Sequence, residues 1–183
     1  MYEKTETKFY DNETKFYDNE IKRLIEALRA KGPDELTCAL LAEAEEASKL
    51  IAAKPDIHLS KADSVLRAVR DRISGQLSAA DCNARAIALE RDLAAQLPPI
   101  RDSGKALLDY QAACADLTTA ETQEDSPYFA ALYLVCFTHR WTGCSLAVAR
   151  REQLDHLQAA LESRPIDSLP AFGQRNRNSL LAE

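Results

Sequence analysis

With 183 residues, 29 acidic against 23 basic side chains and a formal net charge of -6, the chain is long enough for one core of ordinary size and does not demand a second domain. The acidic balance, with a pI near 5.2, opposes whole-molecule attraction to phosphate backbones or anionic membranes. Only 5 glycines and 7 prolines stand among abundant Ala, Leu, Glu and Arg, which favours helices over a turn-rich sheet and predicts an all-α, single-domain bundle of six to seven helices.

The first predicted element contains an internal duplication. Residues 6–12 read ETKFYDN, and residues 13–19 repeat them unchanged. A heptad step returns a helix to nearly the same face, so Phe9 aligns with Phe16, and Tyr10 aligns with Tyr17 and Leu24. The apolar pattern continues through Ile21, Ile25 and Leu28, predicting a helix over about 5–30 that is able to protrude from the bundle. Lys31-Gly32-Pro33 closes it, glycine being suited to a left-handed cap and proline unable to continue the helix.

The second helix begins near Asp34 and carries Leu36, Leu40, Ala44, Ala47 and Ile51 on one stripe, with Glu43, Glu45 and Glu46 placed largely on other faces. Lys54-Pro55-Asp56 ends it. Ser60, with Asp63 three residues on, caps a third helix whose stripe is Ala62, Val65, Val69 and Ile73, stopped near Gly75. Ser78 caps a fourth, with Cys82, Ala86, Leu89, Leu93 and Leu97 ahead of Pro98-Pro99. The fifth, about 101–120, carries Leu107, Tyr110, Cys114 and Leu117.

Ser126-Pro127 starts a sixth helix that is apolar nearly all round to about Trp141, which marks it as the central one. Thr142-Gly143 breaks it, and Ser145 opens a seventh with Leu146, Leu154, Leu157 and Leu161, ending near Arg164-Pro165. Residues 1–165 thus form the bundle. Residues 166–183, mixing Pro, Gly, Asn and Arg, are expected to be a partly mobile tail.

Chemistry-bearing residues are sparse. Cys136, His139, Cys144 and His156 read C-x2-H-x4-C-x11-H, a set of donor types that suits tetrahedral zinc but at a spacing that matches no zinc module. Cys144 near a helix start, with His139 close in sequence, has the ingredients of an activated thiol without a glycine-rich oxyanion loop. The bland alternative is small hydrophobic thiols and helix-end imidazoles. The odd total of five cysteines, mostly on apolar faces, reads as reduced, buried thiols.

No phosphate-binding glycine motif is present, and Glu45-Glu46 and Glu124-Asp125 read as solvated carboxylates. Lys61, Arg67, Arg70 and Arg72, with Arg140, Arg150, Arg151, Arg164, Arg175 and Arg177, could form a local basic face, but Asp63, Asp71, Glu152 and Asp155 are interleaved.

These features leave surface as the means of action. The expectation is a non-enzymatic protein-protein interaction protein, an adaptor, an inhibitor or a self-associating scaffold, that docks through Phe9, Tyr10, Phe16, Tyr17, Ile21 and Leu24. Its partner is another protein or a second copy, and no catalytic residue, metal ligand or cofactor is assigned. Removing residues 1–20 should then abolish binding and leave the rest folded. Each copy of the repeat also offers Tyr-Asp-Asn, a motif type read by phosphotyrosine receptors, set against simple lengthening of an amphipathic helix.

Two other classes compete: an accessory nucleic-acid-binding protein using the basic residues of the third helix and the C-terminal region, and a thiol- or zinc-dependent enzyme. MYEKTETKFYDNE has no basic patch followed by an apolar core, and the longest apolar run, Tyr128 to Phe137, is far short of the roughly 20 residues a bilayer needs. The expected location is therefore cytoplasmic, with no membrane association.

Overall fold

The computed structural model describes residues 3–54, 60–95, 102–120 and 123–164; side chains at 3–13, 33, 60–61, 90, 92–95 and 102–103 fall outside that description. Among the described residues the chain folds as an all-α single-domain bundle without strands: α1 (Glu3–Lys31), α2 (Pro33–Ala52), α3 (Ser60–Ile73), α4 (Ala79–Ala95), α5 (Asp102–Leu117), α6 (Ser126–Thr142) and α7 (Leu146–Leu161). No described helix is long and apolar enough to cross a membrane. The expected tail lies outside the described residues, as does Pro98-Pro99.

Local signals set most boundaries. Ser145 is extended (φ -66°, ψ 153°), and its hydroxyl accepts the Val148 N–H at the start of α7. Ser78 accepts the Asp81 N–H at 3.1 Å and donates to the Asp81 carboxylate at 2.7 Å, closing the first turn of α4. At the other end of α6, Gly143 takes φ +75° and its N–H donates to the His139 carbonyl at 3.0 Å, a left-handed cap that any side chain would strain.

Gly32 departs from the expected left-handed cap. Its φ is 171° and its ψ 155°, an extended conformation any residue adopts. The cause is Pro33 at the first position of α2, whose ring disfavours helical geometry in the residue before it.

α6 is the central helix: it packs against α1, α2, α5 and α7. Ala130, Ala131, Leu134, Val135 and Phe137 are buried along it, and Phe137 lies between Tyr110 of α5, with centroids 5.7 Å apart, and Trp141 at 5.6 Å. Lys54 caps that stack from the α2 side, with Nζ 4.4 Å from the Trp141 ring centroid. α2 is the second hub, touching α1, α3, α5, α6 and α7, whereas α4 packs chiefly on α3 and α5, with Cys82, Ala86 and Leu89 buried.

α1 is fastened to the bundle from Thr14 onward. Tyr17, Ile21, Leu24, Ile25 and Leu28 are buried. Asp18 accepts the Tyr128 hydroxyl, Arg29 donates to the Glu124 carbonyl, and Lys31 donates to the Leu161 carbonyl and the Ser163 hydroxyl. The pairs Thr14 with Arg150 and Lys31 with Leu161 run in the same order along both chains, so α1 and α7 lie parallel.

Candidate functional site

The six residues expected to dock a partner divide by their place on α1. Tyr17, Ile21 and Leu24 face inward and belong to the protein's own core. Their stripe is wide and apolar enough that the bundle itself is its first partner. Phe16 is 64 % exposed. The side chains of Phe9 and Tyr10 lie outside the described residues, although heptad spacing gives Phe9 the register position of Phe16. Phe129 and Leu146, at the starts of α6 and α7, and Ile87 on α4 are the other large apolar side chains exposed among the described residues.

Burial also bears on the tyrosine motif. In the second repeat the Tyr17 hydroxyl donates to Gln153 Oε1 at 2.5 Å inside the core, so a kinase would meet it only after α1 opened. Burial pushes that phenol far above its ordinary value, Glu43 adding to the effect and Arg150 opposing it.

Beneath Tyr17 lies the least expected group of residues. Glu43 of α2 is 1 % exposed, not on a solvated face. Gln153 Nε2 donates to Glu43 Oε2 at 3.0 Å and to the Ala131 carbonyl of α6 at 2.8 Å. With Tyr17 of α1 these residues join four helices through one side-chain amide. The second carboxyl oxygen, Glu43 Oε1, is buried with no hydrogen-bond partner among the described residues. Burial pushes the Glu43 carboxyl up to about 8, and the Gln153 hydrogen bond opposes this only in part. Arg150 lies over the Tyr17 ring at 5.1 Å from its centroid and donates to the Thr14 hydroxyl at 3.1 Å.

A signal for Glu43 was available. Leu36, Leu40, Glu43 and Ala47 recur at steps of four, three and four, the spacing of a buried helix seam. On α7 the buried face is Ala149, Glu152, Gln153, His156 and Leu157, turned from the expected leucine stripe; Leu146 is exposed, and Leu154 and Leu161 are only partly buried. Leucine spacing misled because the Gln153 amide is satisfied inside the bundle by Tyr17, Glu43 and the Ala131 carbonyl.

Cys136, His139, Cys144 and His156 are not gathered into a metal-binding set. Among the described residues no three His, Cys, Asp or Glu side chains converge as a metal would require. His139 Nδ1 is 2.6 Å from the Cys144 carbonyl, and burial raises both the Cys136 and the Cys144 thiol, so neither has the lowered value of an activated nucleophile. None of the five cysteines is in a disulfide; Cys82, Cys114 and Cys144 are buried, and Cys38 is exposed.

The basic residues are partly engaged inside the molecule. Arg70 pairs with Glu45, Arg140 with Asp109 and Arg164 with Glu162. Arg67 and Arg151 are exposed; Arg175 and Arg177 lie outside the described residues. Pairing within the molecule thus engages part of the basic set, but these three pairs use Glu45, Asp109 and Glu162, none of them among the interleaved acids Asp63, Asp71, Glu152 and Asp155.

The geometry defines an all-α helical bundle with a buried polar junction and an aromatic side chain displayed on its first helix. Compared with models of known families, with characterised proteins and with solved structures, the chain matches none.

Proposed function

We propose that the chain acts without catalysis by binding another protein or a second copy of itself, as an adaptor, an inhibitor or a self-associating scaffold, with α1 as the docking element. The observation that supports this reading is Phe16: a phenyl ring 64 % exposed beside the buried Tyr17, at a register position the duplicated heptad repeats at Phe9. A large aromatic left in water on an anchored helix is an inexpensive contact for a partner groove, since little ordering cost remains on binding.

Deleting residues 1–20 would now be an ambiguous test, because it removes Tyr17 from the core. Phe16→Asp is cleaner. Capture from the native cell with wild-type and Phe16→Asp chains as bait, checked for equal helicity, should retain a partner on the first and lose it on the second. Identical sets of retained proteins on both would end the assignment of α1 as the docking element.

A further inference from the structure

Four helices close around one carboxyl group that has almost nothing to balance a charge. Gln153 spends both amide hydrogens, on Glu43 Oε2 and the Ala131 carbonyl, and its oxygen takes the Tyr17 hydroxyl. The Ala131 carbonyl only accepts, which fixes the amide's orientation and makes Tyr17 the donor. Among the described residues no donor remains for Glu43 Oε1.

Charged and titratable groups near the junction include Asp18, Tyr128 and Arg150, which act on Tyr17, and the buried Glu152 and His156 of α7; on its other side α2 meets Asp63 and Arg70 of α3 and Tyr110 of α5. Among the described residues none forms an ion pair with Glu43. A carboxylate there would be a buried charge holding one neutral hydrogen bond.

We infer that the Glu43–Gln153–Tyr17 chain is a proton-operated latch: with the carboxyl neutral, α1 and α7 stay closed on α2, and loss of the proton is coupled to their opening, which brings Tyr17, Ile21 and Leu24 to the surface. The inference rests on the docking reading for what the opening serves, since those three side chains extend the surface that Phe16 begins. The closed site holds its proton to about 8, while a carboxyl opened to water returns to 4.5. Between those values each opening event releases a proton, so the opening equilibrium rises about tenfold per pH unit and levels off above the upper one.

Amide hydrogen exchange on the full chain, divided by the intrinsic chemical rate at each pH, reads this opening in α1 and α7. From about pH 5.5 to about 7.5 the ratio of the wild-type opening equilibrium to that of Glu43→Gln should rise roughly a hundredfold, the other titrating groups being common to both. Equal slopes in the two proteins overturn the latch. Should Glu43→Gln not fold, carbon-13 titration of the wild-type carboxyl decides: a midpoint near 8 upholds it, and an ordinary carboxylate midpoint overturns it. A pH-dependent ratio without Phe16-dependent capture sinks the docking reading alone, and capture with a flat ratio sinks the latch alone.

Discussion

Replacing Glu43 by glutamine changes one atom of the side chain and removes its proton equilibrium. The folded carboxyl is raised from 4.5 to about 8 by burial. Because the raised group is an acid, the unfolded chain releases its proton first as pH rises, so stability is full below 4.5, falls between 4.5 and about 8, and is level above. At about 1.4 kcal/mol per unit the loss is on the order of 3 kcal/mol at neutral pH and on the order of 5 kcal/mol at its limit.

Glutamine escapes this loss but places an amide where Oε1 has no partner, a cost of about 1–3 kcal/mol that does not vary with pH. The stability curves of the two proteins should therefore cross, the variant being equal or weaker in acid and stronger by a few kcal/mol in mild alkali. Denaturant unfolding at a series of pH values, with equal m-values confirmed, measures the difference directly. The reasoning fails if that difference is constant from acid to alkali, since other titrating groups are common to both chains.

Gln153→Leu should destabilise by roughly 3 kcal/mol in chemical denaturation, because it strands the Tyr17 hydroxyl and Glu43 Oε2 together and removes a second hydrogen bond from the Ala131 carbonyl. Leu24→Ala should cost about 2–5 kcal/mol and Phe16→Ala within about 0.5 kcal/mol, a contrast between two faces of one helix that thermal unfolding would show. Gly143→Ala meets no atom within 4 Å yet must hold φ +75°, so a loss of about 1 kcal/mol with unchanged helicity is expected. In native thiol labelling Cys38 should react first, and Cys114, fully buried and pushed up to about 12, should react only on unfolding.

Much of the architecture was legible residue by residue. The stripes Ile21-Leu24-Ile25-Leu28, Ala62-Val65-Val69 and Cys82-Ala86-Leu89 all lie in the core, and Ser78, Ser145, Gly75 and Gly143 stand where helices start or stop. These are local consequences of helical period and backbone sterics, which a few consecutive side chains suffice to impose. The all-round apolar α6 announced its own central position for the same reason: no single face could be left to water.

Of the polar junction only the seam spacing of Glu43 on α2 was legible; its partner was not, since α7 read as a leucine stripe with charged residues to spare. Whether Glu43 meets water or Gln153 is decided by how four helices rotate against one another, residues 17, 43, 131 and 153 being brought together from across the chain. The same rotation turns Tyr17 inward and leaves its neighbour Phe16 outside. Sequence alone determined that this chain is a helical bundle and where its helices begin and end, because period and capping are short-range. Only the tertiary structure decided which polar group is sealed in and which aromatic is displayed, because burial belongs to neighbours distant in the chain.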